Sequence, residues 1–208
     1  NISQDFKWQS AYFETTINDN FTAIDKAITD GYDLIVLPES AFPLYINEHP
    51  ALINALKKRS EHIAILTGTL YRENSKNFNV SCLFQNGSMS VAKKTILVPF
   101  GEYIPLPKFM QKWFNDHIFE GGANFITADK ATDFRIKNNI FRNAICYEGT
   151  REELFDPSVR YMIVMSNNGW FTPSIEPTLQ KLLMRFYARK NHTVIFHAAN
   201  GSDAGIVY

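Results

Sequence analysis

Cysteine is scarce in this chain: there are two, Cys82 and Cys146, among 208 residues. Neither belongs to a CxxC pair or to a Cys/His cluster, and the five histidines include no i, i+4 pair. That pattern argues against a metal centre and against histidine-based chemistry, and no cofactor is expected. A disulfide between the two cysteines stays open on sequence alone, although a chain of this size folds without one. Net charge is missing too. Lys plus Arg and Asp plus Glu both number 21, so no basic field exists to recruit nucleic acid or anionic lipid. No apolar run approaches the ~20 residues that span a bilayer, and there is no internal repeat or low-complexity linker. The chain opens at Asn1 without a signal-like segment and stops at "GSDAGIVY", which reads as mid-strand. We therefore expect an excised piece of a longer protein, with any membrane-spanning segments of the parent lying outside it.

What is present describes a folded domain: 45% of residues are hydrophobic and 20% charged, a balance and length that fit one domain over residues 1–208. Aromatics reach 14%, with 17 Phe, more than a small core needs. The surplus points to an apolar cleft or a loop that touches membrane. Phe13, Ile17, Phe21, Ile24 and Ile28 recur at helical spacing, with Gly31 as the stop. "PALINALKKRSEH" and "IEPTLQKLLMRFYARKNH" read as further helices, and "GTREELFDPSV" reads as helical. "DLIVLPES", "IAILTGTLYR", "IFRNAICYE", "RYMIVMSNN", "TVIFHAAN" and "AGIVY" read as strands. "NVSCLFQNGSMSVAKK" reads as a hairpin turning at Asn86-Gly87. Near-unbroken apolar strands alternating with helices predict an α/β fold, with a mixed sheet or a pair of sheets covered by helices.

Three strands carry a reactive group at or near their ends. "DLIVLPES" leads to Glu39, "SVAKKTILVPF" carries Lys94, and "NAICYE" carries Cys146. Strand ends hold side chains rigidly while the next loop exposes them. A carboxylate can take a thiol proton, an ammonium can stabilise an oxyanion, and a thiolate can attack a carbonyl. Each residue also has a plainer reading. A lone cysteine is most often a small buried hydrophobe, Glu39 suits a cap or turn after Pro38, and one lysine of the Lys93-Lys94 pair is solvated. Strand alternation sends those two lysines to opposite faces. Three such groups on comparable strand ends favour the chemical reading, and Cys82 is assigned to structure.

The Glu, Lys and Cys spacing resembles the nitrilase superfamily, and within it most closely the apolipoprotein N-acyltransferase branch. The similarity rests on "FKWQ", "LPESAFP", "KKTILVPFGEYIPL", "AICYE", "SNNGWF" and the "MRFYAR" helix, which cover nearly the whole chain. "LVPFGEYIP" is the most discriminating of them. The resemblance implies an α-β-β-α sandwich of two mixed sheets. It makes Glu39 a general base, Lys94 the oxyanion lysine and Cys146 the nucleophile. Glu102, Tyr147, Glu148, Trp8 and Trp170 become supporting or substrate-binding residues, with the Tyr147 N–H as an oxyanion donor. From physics alone, Glu102 serves a turn after Gly101 equally well, and Tyr147, Trp170 and Trp8 suit plain packing. The chain departs from the family pattern twice. Asn168-Gly169 stands where Asp-Ala is expected before Trp-Phe, and Leu179-Gln180 stands where a Gln-His pair is expected.

The activity so implied is transfer of a fatty acyl chain from a phospholipid, through a cysteine thioester, to the N-terminal amine of a diacylglyceryl-cysteine apolipoprotein. The expected partners are those two lipids and a membrane surface, not nucleic acid. The expected location is the bacterial inner membrane, with the domain facing the periplasm. In "LPKFMQKWFNDHIF", Phe109, Met110, Trp113, Phe114 and Ile118 cluster on one side of a helix beside Lys108 and Lys112. This predicts an arm that dips into the lipid interface, where the plainer reading is a helix packed on its own domain. The competing functions are a soluble nitrilase-type amidase and a non-catalytic lipid- or protein-binding domain of the same fold.

Overall fold

The computed structural model describes residues 10–99, 101–103, 125–171 and 173–208. Trp8 and the arm bearing Phe109, Met110, Trp113, Phe114 and Ile118 lie outside the described residues, and Trp170 is described only as backbone. The elements in chain order are helix α1 (Ser10–Thr29), strands β1 (Leu34–Val36) and β2 (Phe42–Tyr45), and helix α2 (Pro50–Arg59). The hairpin pair β3 (Ala64–Glu73) and β4 (Lys76–Gln85), then β5 (Ser88–Lys93), follow. Next come β6 (Asp133–Ile136), β7 (Asn139–Ile145), β8 (Tyr161–Asn167), helix α3 (Glu176–Asn191), β9 (Val194–Asn200) and β10 (Gly205–Val207).

They form two mixed sheets. The first runs β1-β3-β4-β5, with β2 also paired to β3; the second runs β10-β9-β8-β7-β6. In the second sheet β7, β8 and β9 are parallel while β6 and β10 join antiparallel at the edges. Period-2 alternation sorts the side chains into three apolar layers. From β4, Phe78, Val80, Cys82 and Phe84 pack with Ile24 of α1 and with Leu52 and Leu56 of α2. Ala64, Leu66 and Leu83 face the other way and meet Ile145, Ile163 and Met165 of the second sheet. On that sheet's far face, Ala144, Met162 and Val164 pack under Met184 and Ala188 of α3. This is the expected α-β-β-α sandwich, and its central layer is sheet on sheet. Both cysteines are free, Cys82 in the α1/α2 layer and Cys146 in the central one. Burial pushes the Cys82 thiol up to about 12, so it is inert.

Three local readings change. Residues 149–159 make no α-helix, only the end of the 3₁₀ turn Cys146–Thr150 and a second 3₁₀ turn at Glu152–Leu154, because Gly149 and Pro157 bracket too short a run and Pro157 disfavours helical backbone at Asp156. The strand expected to carry Lys94 ends at Lys93, so Lys94 heads the following loop. Strand β2 had no periodicity to announce it, and β6 alternates polar and apolar over only four residues, Asp133–Ile136, too short a run to be read as a strand. The Asn86-Gly87 turn is as expected, with φ 51 and 71.

One histidine is locked neutral beneath α3. His197 on β9 bonds Ser166 Oγ at 3.0 Å through Nε2, and burial first, with Lys181 of α3 adding to it, depresses its pKa from 6.5 to about 4. Between those values the unfolded chain binds a proton that the folded one refuses. Stability is therefore full above about pH 6.5 and falls by on the order of 3 kcal/mol as pH drops toward 4. His197→Gln is expected to flatten that acid limb in urea unfolding midpoints measured against pH; an unchanged slope would show that carboxylates alone set it.

Candidate active site

Glu39, Lys94 and Cys146 meet at one cavity of about 330 Å³ that opens at the ends of both sheets, with Glu102 and Asn79 beside them and Leu70, Val98, Phe125 and Phe171 as apolar walls. Each arrives for a local reason. After β1, Pro38 O accepts Ala41 N–H at 3.2 Å and Gly68 N–H at 3.3 Å, closing a tight turn with Glu39 inside it and Ser40 at φ 52. Asn20 of α1 pins the far side of the turn, its Nδ2 donating to Ala41 O at 2.8 Å. The turn lies directly on β3: a Cβ at Gly68 would fall 2.6 Å from Glu39 Cα and 2.7 Å from Ser40 N. Only glycine permits that approach.

The Glu39 carboxylate is held from both sheets. Its Oε1 accepts Asn79 Nδ2 of β4 at 2.8 Å, and its Oε2 accepts the Asn167 backbone N–H, at the end of β8, at 3.0 Å. Lys94 is 1% exposed, and its Nζ lies 2.8 Å from Glu102 Oε2 and 3.7 Å from Glu39 Oε1. Glu102 is fixed in turn by Asn79 Nδ2 at Oε1 and by Val98 N–H at Oε2, each at 2.8 Å. Burial opposes the Lys94 charge, but Glu39, Glu102 and the Cys146 sulfur more than reverse this and hold its pKa above the usual lysine value. Its neighbour Lys93 turns to the other face and pairs with Glu73 at 2.7 Å.

Cys146 is 6% exposed and has φ 53, in the left-handed region that a residue with a Cβ rarely adopts. It begins the 3₁₀ turn Cys146–Thr150 directly off β7. Strained backbone of this kind persists only where its surroundings impose it, and it points to function. Burial pushes the thiol well above its ordinary pKa; Glu39, then Glu102 and Glu176, push the same way, and Lys94 alone opposes them. At rest the sulfur keeps its proton.

Glu148, 2% exposed, does not face the cavity chemistry but braces it. Its Oε1 accepts Thr95 N–H and Thr95 Oγ1, both at 2.6 Å, and Ile96 N–H at 3.1 Å, while Oε2 accepts Ile145 N–H at 2.8 Å. Tyr147 is half-buried, and its hydroxyl accepts from Arg151 at 3.0 Å. Two contributors escaped sequence reasoning. Asn79 bridges both carboxylates; its signal was a polar residue in the apolar strand "FNVSCLF", at a position that faces the second sheet. Gln180 of α3 donates Nε2 to Cys146 Sγ at 3.6 Å. Among the described residues no three His, Cys, Asp or Glu side chains assemble as a metal site, and no helix is long and apolar enough to cross a membrane.

Comparison with known proteins bears on this geometry. The carbon–nitrogen hydrolase family model matches residues 7–203. The chain is 44% identical to an apolipoprotein N-acyltransferase of Wolinella succinogenes, over 99% of this chain and 50% of that protein. It is 41% identical to one from Helicobacter pylori, over 98% and 48%. The chain thus spans about half the length of the curated relatives it matches. Among solved structures, an amidase of the nitrilase superfamily from Nesterenkonia AN1 shares the fold, with TM-score 0.67 at 14% identity, over 94% of this chain and 74% of that one. A family match running almost end to end, on the sandwich that brings these strand ends together, has one consequence: the chain belongs to the carbon–nitrogen hydrolase family.

Proposed function

We propose that this chain is the catalytic domain of an apolipoprotein N-acyltransferase, moving a fatty acyl chain from a phospholipid to the N-terminal amine of a diacylglyceryl-cysteine apolipoprotein at the periplasmic face of the inner membrane. The observation that carries the chemistry is a buried, backbone-strained thiol sharing one cavity with a carboxylate and a buried ammonium. The substrates are inferred from the resemblance to apolipoprotein N-acyltransferases, the name the matching relatives carry.

Because the resting thiol is protonated, attack needs a base. Glu39 takes the S–H proton as Cys146 Sγ bonds to the ester carbonyl carbon. The Lys94 ammonium and the Tyr147 backbone N–H receive the oxyanion. Collapse breaks the C–O bond, and the departing lysophospholipid alkoxide takes the proton from Glu39. The apolipoprotein amine then attacks the thioester carbonyl and gives a proton to Glu39. The C–S bond breaks, the sulfur recovers that proton, and an amide leaves. Glu102 and Asn79 keep Lys94 and Glu39 in register throughout. The apolar walls of the cavity disfavour water, as a transferase that stores a thioester requires.

Incubating the intact protein with phospholipid is expected to add one acyl chain to the Cys146 peptide, hydroxylamine-labile and absent in Cys146→Ala, and a diacylglyceryl-cysteine peptide should then discharge it. Release of ammonia from small amides, with no acyl chain taken up from phospholipid, would replace this reading with that of an amidase. Iodoacetamide labelling no faster at Cys146 than at Cys82 would count for a non-catalytic domain.

A further inference from the structure

Asn168 and Gln180, one from each of the two pairs where the chain departs from the family pattern, bond one another, and Gln180 reaches the sulfur. Gln180 sits on the first turns of α3, is 2% exposed, and reaches Cys146 from the side of the second sheet. Its Oε1 accepts Asn168 Nδ2 at 3.0 Å, and the same Nδ2 donates to Ser202 Oγ at 2.9 Å. The backbone beside Ser202 is pressed against this turn: Gly201 has φ 81, and a Cβ there would fall 2.5 Å from Gly169 N. With its oxygen engaged by Asn168, the Gln180 amide can present only N–H to the sulfur.

We propose that Gln180 is a positioning residue for the Cys146 nucleophile, a neutral donor that turns the S–H toward Glu39 and stabilises the thiolate as it forms. This rests on the reading of Cys146 as the attacking group. The need for such a donor follows from the charges facing the sulfur. Glu39 and Glu102 stand on the side of the first sheet and Glu176 at the start of α3, against one cation, Lys94, which both Glu39 and Glu102 already hold. A second cation would bind those carboxylates in competition with the sulfur. An uncharged amide N–H favours negative charge on the sulfur without disturbing the Glu39–Lys94–Glu102 arrangement. It also occupies a sulfur lone pair, so the thiol hydrogen points elsewhere.

The test reads the sulfur itself. In the intact protein, iodoacetamide alkylation of Cys146 is followed against pH and resolved from Cys82 by peptide mapping. Gln180→Met keeps the side chain's length and removes the donor. It is expected to slow alkylation about tenfold at neutral pH and to move the pH–rate profile up by about one pH unit. Gln180→Asn keeps an amide but withdraws it by one methylene; it is expected to shift the profile in the same direction and carries the test should the methionine variant fail to fold. A wild-type profile in whichever variant folds overturns the proposal, as does a slower rate with an unmoved profile, which would mark Gln180 as packing only. Acyl-thioester formation by the wild type is scored separately. If it fails while the alkylation profile shifts, the acyltransferase reading falls and the role of Gln180 stands; if it succeeds with an unmoved profile, only the role of Gln180 falls.

Discussion

Lys94→Met is expected to abolish acyl-thioester formation and to destabilise the fold by about 3–5 kcal/mol, the usual cost of removing one partner from a buried ionic cluster. Methionine keeps most of the volume of the lysine stem, so packing is not the cause. The cause is two buried carboxylates, Glu39 and Glu102, left facing each other across the single Asn79 amide that bonds both. One of them must then take up a proton, and if that is Glu39 the base is lost along with the cation. The double variant Lys94→Met with Glu102→Gln separates the two effects. It removes one of the opposed charges and is expected to recover most of the stability in urea unfolding, while thioester formation stays absent because nothing positive remains for the oxyanion. Thioester formation by Lys94→Met within tenfold of wild type would remove lysine from the chemistry. Failure of the double variant to regain stability would mean that the electrostatic account of the cluster is wrong.

The strand ends that build this cluster were legible because an apolar run followed at once by a charged or nucleophilic residue is a local pattern. Glu39 and Cys146 each follow such a run, and Lys94 stands one residue past the end of its strand, just before the apolar "TILVPF". Alternation only separated Lys93 from Lys94, and register to the "VPFGE" segment of the family pattern selected Lys94; the structure places Lys93 on Glu73 and Lys94 in the cavity. What stayed hidden depends on distant neighbours. Strand β2 contains Pro43 and pairs with β3 only at Thr69 and Leu70, too little to mark four residues as a strand. Asn79 announces itself as polar within an apolar strand, but only the turn carrying Glu39 and the loop carrying Glu102 give its amide two partners. Gln180 was visible as an unexpected residue on a helix. Its contact with sulfur exists only because α3 packs on the Cys146–Thr150 turn, a fact of tertiary structure.

The same distinction governs Glu148, which reads in sequence as no more than the second residue after the nucleophile. Its partners Thr95 and Ile96 lie 53 and 52 residues away, at the end of the other sheet. One carboxylate oxygen takes up the segment after Lys94 and the other takes the N–H of Ile145 before Cys146, so a single side chain fixes cation and thiol relative to each other. Glu148→Gln breaks that symmetry whichever way its amide turns. An NH₂ facing Ile145 frees the end of β7, and an NH₂ facing Thr95 and Ile96 frees the lysine loop, at about 1–3 kcal/mol for each buried donor left unpaired. A misplacement of about 1 Å between reacting groups costs on the order of a hundredfold in rate, so thioester formation is expected to fall at least that far. Alkylation of Cys146 by iodoacetamide, which needs the sulfur but not Lys94, should fall much less. Parallel loss of both reactions would mean that Glu148 supports the thiol alone, and wild-type thioester formation with an unshifted unfolding midpoint would mean that it braces nothing. The split between the two reactions is the measurable sign of a carboxylate that acts through the distance between two other groups.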